Sequence, residues 1–269
     1  MPGVQELQGI LDFGHIAPSI NTEYFPNTQW SKFFWWSDTP DPWYGAWYVS
    51  FGYGSAQTAE FGTAKYVRLV RSPAQVMIPT NDPNMCVGNL AIKIQTNPDS
   101  MYQVHHDGTV TDIRTNLMWK QCSEGQTWQD DGSTYGTCYD PHIINKCSAV
   151  SSPSDILWEK CEKIRKTYLF NWQRALALTP KSSYAGHNDW RLPNVKELRS
   201  LVEQCRSNPA INTNIFPNTP LASWYHTSSP YLDPMYNRDQ MWLIGFSVGN
   251  NTIASRGGWC YIRLVRDAK

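Results

Sequence analysis

The chain has 269 residues, with 23 basic and 23 acidic side chains and no formal net charge. A neutral chain exerts no general electrostatic attraction on nucleic acid or anionic membranes, so we expect neither as a partner. Thirteen Trp, 14 Tyr, 17 Gly and 18 Pro favour a compact, loop-rich extracytoplasmic domain over a helical enzyme. We find no apolar run long enough to span a membrane.

The first part of the chain predicts one short helix followed by strands. VQELQGIL (4–11) follows a proline and has apolar residues at helical spacing. WYVSF (47–51) alternates as a strand does, and KYVRLVR (65–71) is rich in strand-forming residues. DGTVTDIRTNLMW (107–119) then has the turn and alternation of a hairpin.

The second part predicts two helices and two strands after a cysteine-rich insertion at 122–161. YLFNWQRALALT (168–179) and VKELRSLVEQC (195–205) have helical periodicity. WLIGF (242–246) and CYIRLVR (260–266) have the composition of strands. We therefore expect an α+β, loop-rich fold with small antiparallel sheets and two short helices in a complete module.

The end of the chain repeats its beginning. Residues 46–71 align without a gap on residues 241–266, with ten of 26 positions identical. Residues 2–28 align on residues 193–219, with twelve of 27 identical. The repeat predicts three parts. They are a partial module at 1–71, a linker at 72–103 with a possible strand (AIKIQ, 91–95), and a complete module at 104–269.

The first copy begins in the middle of the repeated unit, because Met1 aligns with Leu192. We expect an in-frame upstream continuation that resembles WRL and, earlier, DGTVTD. An export signal is absent from this chain, which fits a truncated first module. The expected location is secreted, periplasmic or at the cell surface.

All seven cysteines lie at or after residue 86. Cys205 and Cys260 are both absent from the first copy, and this paired loss predicts a disulfide between them. Cys122–Cys138 and Cys147–Cys161 would each close a short loop, so they are two further candidate bridges. Cys86 then remains as the odd cysteine. The alternative is a cytosolic protein with buried reduced thiols. The cysteine spacing does not suggest zinc.

Long aromatic loops in both copies are the candidate ligand site. Sugar rings stack on such side chains, and neighbouring polar groups supply directional hydrogen bonds. The candidates are Trp35, Trp36, Trp43 and Tyr44 in the first copy and Trp224, Tyr225, His226, Tyr231, Tyr236, Asn237, Arg238 and Asp239 in the second. The alternative is that these rings fill the core.

Other sequence patterns give weaker indications of a functional site. Arg68, Arg71, Arg263 and Arg266 alternate with apolar residues and predict an outward polar strand face. Asp130–Asp131–Gly132 could hold a structural calcium ion, although acidic turns are usually empty. We expect no other cofactor, no metal site and no catalysis, because the sequence has no GxSxG, HExxH or phosphate-binding glycine motif.

Seven blocks in order resemble the Lcl C-terminal domain family, named for the C-terminal region of a collagen-like bacterial adhesin. They are DGTVTDIRTNLMW, CSEGQTW, NWQRALAL, DWRLPNVKELRSLVE, NPAINTNIFPNTP, WLIGF and CYIRLVR. The resemblance implies a C-type-lectin-like fold, akin to the formylglycine-generating-enzyme group, whose first and last strands pair. It also implies a bacterial surface or secreted module that binds glycosaminoglycan-like polysaccharide, with no catalytic residues to carry over.

Three functions remain open from the sequence. The first is a non-enzymatic adhesion module for polysaccharide or a surface glycan. The second is a protein-binding module diversified by a retroelement, whose variable positions would be Tyr225, His226, Tyr236, Asn237, Asn250 and Asn251. The third is an enzyme related to formylglycine generation, which we do not expect.

Overall fold

The structure is a computed structural model. It describes residues 1–31, 34–40, 45–71, 95–139, 168–232 and 239–269, together with Glu159, Lys163 and Lys166. Short helices and small, mostly antiparallel sheets alternate with long loops, which confirms the α+β, loop-rich class. The helices with described bounds are α1 (Val4–Gly9), α2 (Trp172–Leu178) and α3 (Val195–Arg199), with 3₁₀ turns at Asp99–Met101 and Thr179–Lys181.

Helices α1 and α3 are the repeated helices, and both have in their first turn a glutamate that accepts a hydrogen bond from the backbone amide three residues before it. At α3, Asn194 accepts a hydrogen bond from the amide of Glu197, whose carboxylate accepts one from the amide of Asn194. This reciprocal pair satisfies two backbone donors that a helix start leaves free. In α1, Gly3 cannot offer a side chain, but Glu6 still accepts from its amide at 2.8 Å.

The first copy forms one four-stranded sheet in the order β3-β2-β1-β4. Strand β4 runs parallel to β1, and the other two pairs are antiparallel. The strands are β1 (Trp35–Pro40), β2 (Gly45–Val49), β3 (Ala56–Glu60) and β4 (Tyr66–Val67).

The second copy forms three sheets. Their orders are β13-β7-β6-β5, β10-β11-β12 and β8-β9. The strands are β5 (Tyr102–Val104), β6 (Thr109–Asp112), β7 (Leu117–Lys120), β8 (Thr127–Gln129), β9 (Thr137–Tyr139), β10 (Tyr225–Pro230), β11 (Gln240–Ile244), β12 (Asn251–Ser255) and β13 (Val265–Asp267).

The last strand of the second module pairs with the second strand of the predicted hairpin at residues 107–119, and not with the first strand of the module, β5. Strand β13 lies antiparallel to β7, with Val265 opposite Trp119. The module begins earlier than residue 104, because β5 pairs with β6 and the buried Asn97 donates to the carbonyl of Val202 at 2.7 Å. The segment 91–94 of the possible linker strand lies outside the described residues.

The two copies share local structure as well as sequence. Each contains a cis X-Pro bond at the same place, Ala17–Pro18 and Asn208–Pro209. In each, a hydroxyl donates to the carbonyl of a strand tryptophan, from Ser37 to Trp47 and from Thr227 to Trp242. The repeat is therefore a repeat of fold.

The copies pack on each other through equivalent positions, and they share one hydrophobic core. Trp242 lies against Gly54, and its counterpart Trp47 lies against Gly249, the counterpart of Gly54. Gln8 and Arg199 are likewise equivalent, and the Arg199 Nε donates to the Gln8 Oε1 across the seam. The seam therefore has the pattern of a pseudo-two-fold axis.

The two seam glycines differ in the space around them, which gives a matched test. Both have positive φ, +69° at Gly54 and +80° at Gly249. An added Cβ would lie 3.4 Å from the nearest atom at Gly54 but only 2.7 Å from the Val202 Cγ1 at Gly249. We expect Gly54→Ala to cost about 1 kcal/mol and Gly249→Ala about 2–3 kcal/mol, as measured by urea unfolding. Equal losses would contradict this packing.

The closing strand is covered in one copy and open in the other. In the second copy Leu264 and Val265 are fully buried beside β7. Their counterparts Leu69 and Val70 are 81% and 49% exposed, and no strand of the described residues pairs with them. An open apolar edge of this kind favours self-association.

Native-state hydrogen exchange should separate these two strands. We expect the amide of Val70 to exchange at least about 100-fold faster than that of Val265, because local opening is easiest where few contacts bury the backbone. The Val265 amide donates to the carbonyl of Arg191 at 3.0 Å and serves as the internal reference. Similar protection at both positions would show that the first-copy edge is covered in solution.

Candidate functional site

Most of the predicted second-copy ligand residues lie in the core. Tyr225, His226 and Tyr231 are buried, and the Tyr225 hydroxyl lies 2.8 Å from the Ser123 Oγ. Burial raises the pKa of Tyr225 to about 12 and lowers the pKa of His226. These three rings fill the interior, so they are unsuited to contact an external ligand.

Two of the predicted second-copy residues do reach the surface. Trp224 is half-buried and Asp239 is exposed. Tyr236, Asn237 and Arg238 lie outside the described residues. Among the proposed variable positions, Asn251 is buried in the seam, which makes it unsuited to that role.

The first-copy residues divide in the same way. Trp35 is buried and packs on Phe51, whereas Trp36 is half-buried. The Lys65 ammonium lies 4.9 Å from the Trp36 ring and 4.2 Å from the Tyr48 ring. The Lys65 ammonium group thus already occupies the faces of the Trp36 and Tyr48 rings. Trp43 and Tyr44 lie outside the described residues.

The sheet β10-β11-β12 carries a partly exposed aromatic surface on its outer side. Strand β11 points Met241 and Leu243 to this side, where they cluster with Cys260 and support the rings of Trp172 and Trp224. The Trp259 side chain is 44% exposed, and the Trp259 carbonyl accepts a hydrogen bond at 3.2 Å from the hydroxyl of Ser223, the residue before Trp224. We call this surface the tryptophan face, and it consists of Trp172, Trp224, Trp259, Arg256 and Asp239.

Charged groups border the rings of the tryptophan face. The Arg256 guanidinium carbon lies 4.5 Å from the centroid of the Trp172 ring. The Arg256 Nε is 3.9 Å from the Asp239 Oδ1, which is long for a hydrogen bond. The Trp172 indole nitrogen donates to the carbonyl of Thr227 at 2.9 Å and so holds the ring in place. Flat rings next to a guanidinium and a carboxylate suit a ligand with both apolar and hydroxyl-bearing surfaces.

Sequence reasoning missed three members of this face. Trp172 belongs to a predicted helix, and the helical pattern does not show that its ring is partly exposed. Arg256 and Trp259 lie in a segment that has no periodicity. The signal for Trp259 was its place directly before the strand segment that begins at Cys260. The long loops drew attention instead.

The expected outward arginine face is wrong for two of its members. Arg263 is fully buried, stacks 4.8 Å from the Phe216 ring and donates to the Thr219 Oγ1 at 2.9 Å. Arg266 is also buried and bonds the Asp189 carboxylate at 2.6 Å. The closing strand turns inward because neighbouring segments cover both of its sides.

The predicted Cys205–Cys260 bridge is wrong. Cys260 carries a free, buried thiol, and Cys205 is disulfide-bonded elsewhere. Cys260 serves as an apolar filler beside Met241 and Leu243. The Cys122–Cys138 bridge is confirmed, with an S–S distance of 2.04 Å. The proposed Cys147–Cys161 pair and Cys86 lie outside the described residues.

The buried Cys260 thiol should be unreactive in the native state. Burial raises its pKa to about 11, so the reactive thiolate is scarce at neutral pH. We expect iodoacetamide at pH 8 to leave Cys260 unmodified in the native protein and to alkylate it in about 6 M guanidinium chloride, as read by peptide mass spectrometry. A Cys260→Ala variant identifies the peptide, and rapid native labelling would contradict the burial.

The described ranges contain neither a metal-binding cluster nor a membrane-spanning helix. Within them, no group of three or more His, Cys, Asp or Glu side chains could hold a metal ion. The Asp130 and Asp131 carboxylates accept the amides of Gly132 and Ser133, each at 3.0 Å. No described helix is long and apolar enough to cross a bilayer.

The chain matches the model of the Lcl C-terminal domain family over residues 1–71 and 108–266. The match covers both copies, and the protein belongs to this family. A comparison with curated proteins finds no significant match.

Proposed function

We propose that this protein is a non-enzymatic extracytoplasmic binding module that adheres to polysaccharide or a surface glycan through the tryptophan face. The single observation that carries the proposal is that Trp172 and Trp224 lie partly exposed on one apolar cluster, with Arg256 stacked on the Trp172 ring. A sugar ring offers an apolar face for the indoles and hydroxyl groups for the adjacent charges.

The extracytoplasmic location is supported by the sulfur chemistry. Cys122–Cys138 is a disulfide, and Cys205 takes part in another. Such bonds persist in oxidising compartments and are rare in the cytosol. Membership of the Lcl C-terminal domain family is compatible with the same location.

The proposed fold is C-type-lectin-like. The pairing of β13 with β7 brings the two ends of the second module together, and long loops leave this small framework. Binding on such a framework needs neither a cofactor nor catalysis. The buried Cys260 thiol, with its raised pKa, is a poor nucleophile, which favours binding over an enzyme of the formylglycine-generating type.

A glycan array probed with the full chain, followed by affinity measurement on the retained glycan, tests the proposal. We expect Trp259→Ala to weaken binding about tenfold, because one stacking contact is worth about 1 kcal/mol or slightly more. Trp30→Ala is the matched control, since Trp30 is 36% exposed and lies outside the tryptophan face. Arg256→Ala should weaken binding as well.

Two results would refute the proposal. The first is an array that retains no glycan at moderate salt. The second is a retained glycan whose affinity falls equally in Trp259→Ala and Trp30→Ala. Unchanged unfolding midpoints of the variants show that any loss is a loss of contact.

A further inference from the structure

A cleft opens at the seam between the two copies, where α1 meets α3. Its volume is about 250 Å³, and it lies between the repeated helices and the turn after β6. The lining residues are Gln5, Gln8, Gly9, Phe13, Arg114, Thr115, Lys196, Arg199 and Ser200. No member of the tryptophan face contributes to it.

Two buried hydrogen-bond donors on the cleft lining have no acceptor within the described part of the chain. They are the Gln8 Nε2 and the Arg199 Nη2, on side chains that are only 5% and 7% exposed. The other atoms of the two groups are used, since the Arg199 Nε donates to the Gln8 Oε1 and its Nη1 donates to the Asn251 Oδ1 at 3.0 Å. A buried donor without an acceptor costs free energy, and each of these two groups lacks a hydrogen-bond acceptor.

The charge at this place is also unbalanced. Arg199 makes no described ion pair, and burial lowers its pKa to about 9. Lys196 is exposed and adds a second positive charge on the lining. Arg114 is already neutralised by the buried Asp112 at 3.0 Å. Asp12 lies 2.7 Å from the His15 ring nitrogen and interacts with Lys196, but it does not line the cleft. A buried guanidinium without a counter-charge is unfavourable, and a charge-assisted hydrogen bond would offset that cost.

We propose that this cleft binds an oxyanion, a carboxylate, sulfate or phosphate group, on the free donors of Gln8 and Arg199 with Lys196 beside it. A group that only accepts hydrogen bonds matches two donors, and its negative charge matches two cations. A water molecule could accept hydrogen bonds from these donors, but it would leave the positive charge of the guanidinium without a counter-charge. The site needs both copies, because Gln8 comes from the first and Arg199 from the second.

The test is a titration of the full chain with sodium sulfate, followed by ¹H–¹⁵N spectra at constant ionic strength maintained with chloride. We expect saturable shifts of the Gln8 side-chain amide and the Arg199 Nε–H signals. Lys196→Gln should weaken the apparent affinity about tenfold, since it removes one charge contact from an exposed position. Lys181→Gln is the matched control, because Lys181 is exposed and does not line the cleft.

A second variant tests the buried donor itself. Arg199→Gln places at this position the residue that the first copy carries, and it should abolish the sulfate-induced shift of the Gln8 amide. Should this variant not fold, Lys196→Gln still decides. The proposal is overturned if neither signal responds to sulfate beyond chloride, or if Lys196→Gln titrates like the unmodified chain.

Further arms identify the source of the oxyanion. Acetate in place of sulfate tests a carboxylate, and a sulfated oligosaccharide tests an anionic group on a larger ligand. If the oligosaccharide competes with sulfate at the Gln8 and Arg199 signals, the group belongs to the larger ligand. If sulfate binds and the oligosaccharide leaves these signals unchanged, the cleft takes a free anion. Both results support the cleft, and neither depends on the outcome for Trp259→Ala.

Discussion

The shared core between the two copies is the constraint on which the rest of the structure depends. The first copy has one four-stranded sheet and one described short helix, which is too little to enclose a core of its own. Burial of its apolar residues is completed by the second copy, where Phe13 meets Trp242 with ring centroids 5.2 Å apart. The seam therefore completes the core of the first copy, and the cleft lies where a helix from each copy meets.

The repeat shows how one sequence takes two structural roles. Arg68 and Arg263 are equivalent, and each stacks on an equivalent phenylalanine, Phe25 or Phe216. Arg263 also donates to the carbonyl of Lys120, the last residue of β7. The stacking of this arginine on a phenylalanine is thus common to both copies, whereas its full burial is found in the complete module.

Local pattern and the repeat predicted the framework. The helix starts at Val4 and Val195 and the hairpin of β6 and β7 follow from proline position, periodicity and turn residues. The pairing of β13 with β7 required the family resemblance, because no local pattern relates residues about 150 positions apart. The boundary of the second module could not be read locally, since β5 is three residues long and carries no turn signal.

The candidate site was harder to predict, and the reason is physical. Composition shows that an aromatic residue is present, but not which side of a strand it occupies. Tyr225 and Trp224 are adjacent, and alternation sends the first into the core and leaves the second half-exposed. The Cys205–Cys260 prediction failed for a related reason, because Cys260 faces an apolar cluster in which its size matters more than its chemistry.

The seam also distinguishes a fused pair from two identical subunits. A residue that lies on a true two-fold axis meets its own copy, so an arginine at the position of Arg199 would face another arginine at close range. In this chain Gln8 stands opposite, and an amide oxygen accepts the guanidinium instead of a like charge repelling it. Covalent linkage of the copies permits one side of the axis to change alone. This asymmetry leaves one guanidinium on the seam where a symmetric dimer would have two, and it has no ion pair among the described residues.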